Sequence, residues 1–271
     1  MKTKQYTLIL ATVSTLLLLT VAVRADEVSP AINVTSSGDV NLVIPSDADK
    51  VITSKDNQVK YQVNDGVSID NAVDGTDLTA PIIVDSQIIS ENRNSTSGVT
   101  TISADLSQAK IKNSRKVSLN SIGMNKLWET EVFAGTIPQV TTPKPVYDVT
   151  LGIKVSLKLK WTIVQKGSQA TATLNNVSGG YSGDSQILVD SSHKTWVNAG
   201  EQDRGGSVYS QKFYPGSSRS FSYNLSLKTI PYAGGTGGSA NYLAHLKRGT
   251  KSAWDVKIQA FAWGGITHDD W

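Results

Sequence analysis

Residues 151–163 read Leu-Gly-Ile-Lys-Val-Ser-Leu-Lys-Leu-Lys-Trp-Thr-Ile. Every odd position, from Leu151 to Ile163, is large and apolar, while Gly152, Lys154, Ser156, Lys158, Lys160 and Thr162 fill the even ones. A strand sends successive side chains to opposite faces, whereas a helix would scatter these residues around its axis. The spacing therefore predicts a half-buried strand with a wet, lysine-bearing face. Lys166-Gly167-Ser168 follows as a turn, and Ala170 to Leu174 reads as the return strand of a hairpin.

The same alternation recurs at Phe221, Tyr223, Leu225 and Leu227, and at Trp254, Val256, Ile258, Ala260 and Ala262. Glycine- and serine-rich stretches separate these runs: Ser178-Gly179-Gly180, Gly205-Gly206, Pro215-Gly216-Ser217-Ser218 and Ala233 to Gly238. Short strands punctuated in this way predict an all-β fold, with an antiparallel β-sandwich (jelly-roll or Ig-like) over residues 146–271.

Upstream, residues 26–110 are rich in Ser, Thr, Asn and Asp and hold one aromatic residue, Tyr61. Strands are expected at Asp39–Ile44, Lys50–Thr53, Gln58–Val63 and Ile82–Ile89, with turn signals at Asn64-Asp65-Gly66 and Asp74-Gly75. So little side-chain bulk predicts a smaller β or partly disordered N-terminal region. Ser90 to Gly98 is the best linker candidate within it. Residues 111–145 form a connecting segment. Met124 to Phe133 suits either a short helix or a strand, and Thr136 to Pro145 reads as an extended link.

The first 25 residues have the build of a secretory signal. Lys2 and Lys4 precede an apolar run from Leu8 to Leu19, and Val23-Arg24-Ala25 supplies small residues at −3 and −1. The competing interpretation, a membrane anchor over the longer stretch Tyr6 to Val23, is weakened by Thr7, Thr12, Ser14, Thr15 and Thr20 within it. Cleavage after Ala25 is expected, and no later segment reaches the ~20 apolar residues of a spanning helix. The chain contains no cysteine, which excludes disulfides, thiol nucleophiles and an acylated N-terminal cysteine. A disulfide-free exported protein of this size suits a Gram-positive bacterium. No LPxTG motif or C-terminal apolar tail occurs, so secretion with at most loose wall association is expected.

Without Lys2, Lys4 and Arg24, basic and acidic side chains balance at 23 each. Their distribution is uneven: residues 26–100 hold twelve acids against four bases, and residues 101–271 hold nineteen bases against eleven acids. That asymmetry points to a polyanionic partner, such as an anionic cell-wall polymer, or to two halves that neutralise each other. The bases are spread along strands rather than clustered, so nucleic acid is not expected.

The stretches Asn175 to Ser191 (NNVSGGYSGDSQILVDS), Phe213 to Asn224 (FYPGSSRSFSYN) and Leu246 to Ile258 (LKRGTKSAWDVKI) complete the pattern. In texture, this C-terminal region of about 125 residues resembles the β-sandwich part of small, uncharacterised proteins exported by Gram-positive bacteria. The resemblance implies a fold and a compartment; it brings no catalytic residue.

Candidate chemistry is sparse. Asp190-Ser191-Ser192-His193 gathers an acid, hydroxyls and a base, but residues this close in sequence rarely build a triad, and there is no G-x-S-x-G elbow. His268-Asp269-Asp270 lies at a chain end and makes a poor preformed metal site. Asp65, Asp70, Asp74 and Asp77 lack EF-hand spacing and suit turns. No catalytic residue, metal ligand or cofactor is therefore assigned.

The candidate ligand-binding residues are Trp196, Tyr214 and Tyr232, whose rings could stack on sugars, together with Lys154, Lys158 and Lys160. The expected function is non-catalytic binding of a surface glycan or polyanion. The alternatives are a polysaccharide hydrolase or lyase, and a membrane-active, bacteriocin-like toxin, for which residues 152–174 would supply a lipid-facing hairpin.

Overall fold

A computed structural model describes residues 32–35, 39–46, 48–70, 77–111, 152–167, 169–190, 195–249 and 254–264. The segment expected to be helix or strand at 124–133, the link at 136–145, Leu151, Asp74, the side chains of Asp65, Asp70, Asp77 and Trp254, and the triplet at 268–270 lie outside the described residues.

The described chain is all-β apart from turns, loops and one short 3-10 turn, Leu106–Gln108, and every strand pair is antiparallel. The strands are β1 (Ile32–Val34), β2 (Val40–Leu42), β3 (Lys50–Lys55), β4 (Gln58–Asp70), β5 (Asp77–Asn92), β6 (Ser95–Asp105), β7 (Lys110–Ile111), β8 (Ile153–Lys166), β9 (Gln169–Gly183), β10 (Ile187–Val189), β11 (Trp196–Gln202), β12 (Val208–Phe213), β13 (Ser220–Asn224), β14 (Ile230–Pro231), β15 (Gly237–Arg248) and β16 (Trp254–Trp263). Apart from the β1–β2 hairpin, they join one sheet whose main order is β12-β11-β15-β16-β4-β5-β6-β8-β9-β13.

The sheet folds over on itself. β16 packs on β6 and β8, β15 on β8 and β9, and β11 on β9, so a first layer (β12, β11, β15, β16) and a second (β5, β6, β8, β9, β13) enclose a single core. β4 makes the corner: one end pairs with β16 through Ser68–Asp70, and its length pairs with β5. The all-β sandwich expected from the sequence is thus the observed architecture. Strands from the two stretches distinguished in the sequence, residues 26–110 and 146–271, share this sheet, with β6 and β8 paired over eleven residues, Ser95 to Asp105 against Lys154 to Val164.

β8 is the spine of the second layer. Ile153, Val155, Leu157, Leu159, Trp161 and Ile163 are buried at 2 % exposure or less, while Lys154, Lys158 and Lys160 are exposed, as the alternation predicts. Burying side chains of this size contributes about 1.5–3 kcal/mol each relative to exposure, which makes this strand the largest single apolar contribution to the layer. The hairpin to β9 closes where expected: Lys166 pairs with Gln169, and Gly167 adopts a positive φ of 64°.

Three local expectations are corrected. Ser90–Gly98 is not a linker but the β5–β6 hairpin, tight because Asn92 pairs directly with Ser95. Asn64-Asp65-Gly66 is not a turn but a bulge inside β4, between Val63 and Val67. Ser178-Gly179-Gly180 lies in mid-strand in β9, where a Cβ on Gly179 would run into the Ser156 carbonyl and one on Gly180 into that of Arg219. Glycine here allows close backbone approach rather than chain reversal.

Gly98 makes the same point at the core. It pairs with Trp161 across β6–β8, and the indole lies over its bare Cα, with Trp161 Nε1 donating to Thr100 Oγ1 at 3.3 Å. A methyl group at position 98 would collide with the indole ring and with the Gln87 carbonyl. Gly98→Ala is expected to lower stability in urea titrations by about 1–3 kcal/mol through overpacking, comparable to the ~2–5 kcal/mol cavity cost of Leu159→Ala.

Candidate functional site

The outer face of the second layer is built by strand register. Lys158 lies between Thr101 of β6 and Ser178 of β9, and Lys160 lies between Val99 and Asn176. Further out, Asn176 Nδ2 donates to Ser222 Oγ and to Asn224 Oδ1 on β13, and Asn175 Nδ2 donates to Thr162 Oγ1. The surface is a broad plane of hydroxyls and amides fixed by cross-strand hydrogen bonds.

Among its described side chains, bases outnumber acids. The register adds Lys60 of β4 and Lys50 and Lys55 of β3 to the face that carries Lys154, Lys158 and Lys160. The acids described on that face are Asp85 and Asp105. Asp85 is already engaged: Lys60 Nζ stands 3.3 Å away, and the Gln58 and Gln87 amides donate to Oδ1 at 2.9 and 3.0 Å. Burial works against ionisation there, yet those two amides and the Lys60 ammonium outweigh it and hold the carboxyl below the usual carboxylate range. Asp105 reaches Lys154 only at 3.8 Å, with the lysine side chain 70 % exposed. Among the described residues, Lys158 and Lys160 have no carboxylate within ion-pair distance.

The six residues singled out from the sequence are not one site. The three lysines share a strand and a face. Trp196 opens β11 in the other layer, and Lys212 Nζ lies 4.2 Å above its ring. Tyr214 follows β12 and is 56 % exposed. Tyr232, beyond β14, belongs to the edge next to β9, where its N–H donates to the Ala170 carbonyl. It packs half-buried against the core, and burial pushes its phenol up, partly offset by a backbone hydrogen bond with Val34. The β11–β12 ladder ends at Val197–Phe213 and so sets Trp196 and Tyr214 side by side, whereas Tyr232 stands apart at the β9 edge and shares no platform with them.

A second polar cluster had not been singled out. His245 of β15 faces Asp255 of β16, its register partner, through Nδ1 and Oδ1. Nε2 points to Asp190 Oδ2 at 3.5 Å, Lys247 Nζ holds Asp190 Oδ1 at 2.9 Å, and the Asp190 N–H donates to the His245 carbonyl at 2.8 Å. Asp190 thus meets a histidine, although not the neighbouring His193, which lies outside the described residues together with Ser191 and Ser192. The signal was available in the sequence: His245 and Asp255 stand symmetrically about position 250 and become partners once that hairpin is recognised. The imidazole fills the space between the two acids, so these carboxylates do not flank an open cleft of the kind glycoside hydrolysis uses. Among the described residues there is no cluster of three or more His, Asp or Glu side chains with metal-binding geometry.

The fold and the lysine face define an all-β antiparallel sandwich with a basic, hydroxyl-rich outer sheet. Comparison with protein-family models, curated proteins and solved structures gives no match for the chain. Among the described residues no helix is long and apolar enough to cross a membrane, which leaves spanning by strands unaddressed.

The two kinds of ion pair should differ in energetic weight. Asp190→Asn weakens contacts to both Lys247 and the nearly buried His245 and is expected to cost about 1–3 kcal/mol. Asp105→Asn loses the contact to one exposed lysine, while its amide oxygen can still accept from the Ser107 N–H and hydroxyl, and should cost about 0–1 kcal/mol. Urea midpoints of the two variants against the parent measure the difference.

Proposed function

We propose that this is an exported, non-catalytic protein that binds an anionic surface polymer, such as a cell-wall polyphosphate, across the outer face of β3–β6 and β8–β9. The observation that carries this reading is the lysine row on β8, which stands on a rigid paired strand with Lys158 and Lys160 unneutralised. Residues two apart on a strand are about 6.8 Å from each other, so Lys158 and Lys160 offer closely and regularly spaced charges to a linear polyanion. Lys50 and Lys55 extend the positive field sideways, beyond the Lys60–Asp85 pair. The flanking hydroxyls and amides can donate to phosphate and sugar oxygens without a deep pocket.

The secretory signal and the absence of cysteine support placement of the protein outside the cell, where such polymers are found. Exposed ammonium groups attract polyanions over a range set by ionic strength, and binding of this kind weakens as salt rises.

Cosedimentation with purified Gram-positive walls, before and after chemical removal of their anionic polymer, tests the proposal. The parent protein should bind intact walls, lose most of that binding between about 0.05 and 0.3 M salt, and fail to bind stripped walls. Combined Lys154→Gln, Lys158→Gln and Lys160→Gln should weaken binding roughly tenfold, at some tenths of a kcal/mol per exposed contact, and leave the urea midpoint unchanged. Salt-insensitive binding, or equal binding by the triple variant, would overturn it.

A further inference from the structure

Among the described residues, the one carboxyl group sealed between the two layers is that of Glu201. It projects from β11 toward β9 and is fully buried. Oε1 accepts from the Leu174 N–H at 2.5 Å, and Oε2 has no hydrogen-bond partner. That N–H is available because β9 bulges: the pairing with β8 steps from Lys160–Asn176 to Trp161–Leu174, which leaves Asn175 over. A ladder defect in one layer is thus repaired by a side chain from the other.

Among the described residues, no cation balances the group inside the seam. Its partner on β12 is Tyr209, whose hydroxyl donates to Asp203 Oδ2 at 3.2 Å and accepts from Lys228 Nζ at 3.3 Å. Its partner on β15 is Gly238, with Ala240 and Tyr242 further along the same face. β9 contributes Ala172, Leu174 and Val177, and β8 contributes Trp161 and Ile163, none of them charged. Tyr242, the other buried acid of this face, is held protonated by burial.

We propose that Glu201 is a proton-operated latch of the β11–β9 seam: as a neutral acid it lets the two layers close dry, and as a carboxylate it draws water between them. Burial pushes the group up to about 7, against the opposing pull of the Leu174 N–H, so the switch falls near neutrality. The folded value lies above the ordinary value of 4.5. The latch therefore contributes its full stability below about pH 4.5 and loses it progressively as pH rises through about 7. The bulge it grips carries Asn175 and Asn176, beside Lys160 on the outer face, so opening of the seam would also loosen the edge of that face.

The test is amide exchange at Leu174 and at Ala199–Gln202 in the full mature chain between pH 5.5 and 8.5, corrected for intrinsic exchange, alongside a ¹³C titration of the Glu201 carboxyl. Protection should fall roughly tenfold or more across that range in the parent, from the linkage between the two protonation states. In Glu201→Gln it should stay flat, because the amide oxygen can still accept from Leu174. The carboxyl resonance should titrate near 7. Flat protection in the parent, an equal fall in the Gln variant, or a carboxyl midpoint below 5 would each overturn the proposal. Should the variant fail to fold, the carboxyl midpoint decides alone.

Discussion

The alternation along β8 governs both the interior and the surface of this protein. Six large side chains, Ile153 to Ile163, must leave water together, and one strand geometry meets that demand. The same geometry turns Lys154, Lys158 and Lys160 outward, so the basic face is a consequence of core formation rather than a feature added to it. A slip of one residue in the register would exchange the two sets and bury three ammonium groups, which the two long ladders on either side prevent.

Those ladders also bring together residues far apart in the sequence. β6 supplies Gly98 as the seat for Trp161 and Thr100 as the acceptor for its indole N–H, and β5 supplies Ser86, which donates to Thr100. Sparse in aromatic residues, residues 26–110 look weakly structured when read alone. Their small side chains make sense beside β8, where threonine and glycine leave room for the bulk that β8 provides. What reads as a thin core in one segment is the complementary half of a thick one in another.

The sequence therefore disclosed elements better than partnerships. Strands with a clean two-residue rhythm, the Lys166–Gln169 hairpin and the outward lysines were legible because each depends on local spacing alone. Gly179, Gly180 and the Asn64–Gly66 bulge were misread as turns because glycine and asparagine mark both chain reversal and close packing in mid-strand, and composition does not separate the two. The extension of the basic face to Lys50, Lys55 and Lys60, and the neutralisation of Asp85 by Lys60, depend on strand order, which a single sequence does not contain. Tyr232 looked like a loop aromatic available to a ligand; its proximity to β9 and β1 instead engages it in packing.

Polar groups mark where the two layers and their edges needed more than apolar contact. On the exposed side the arrangement is inexpensive: Asp85 is offset by a lysine and two amides, and the remaining lysines stay hydrated. Inside the seam a charge has no such support, and burial raises the Glu201 carboxyl to about 7, so that it holds its proton below neutrality. An apolar residue at 201 would fill the space but leave the Leu174 N–H without an acceptor, a cost of about 1–3 kcal/mol. Glutamate meets the bulge's demand for an acceptor, and its sensitivity to pH follows from the same contact. The wet face, where ammonium groups remain available, and the seam, where a carboxyl resists ionisation, are therefore the two outcomes of one rule: an ion persists where water or an opposite charge can reach it, and is disfavoured where neither can.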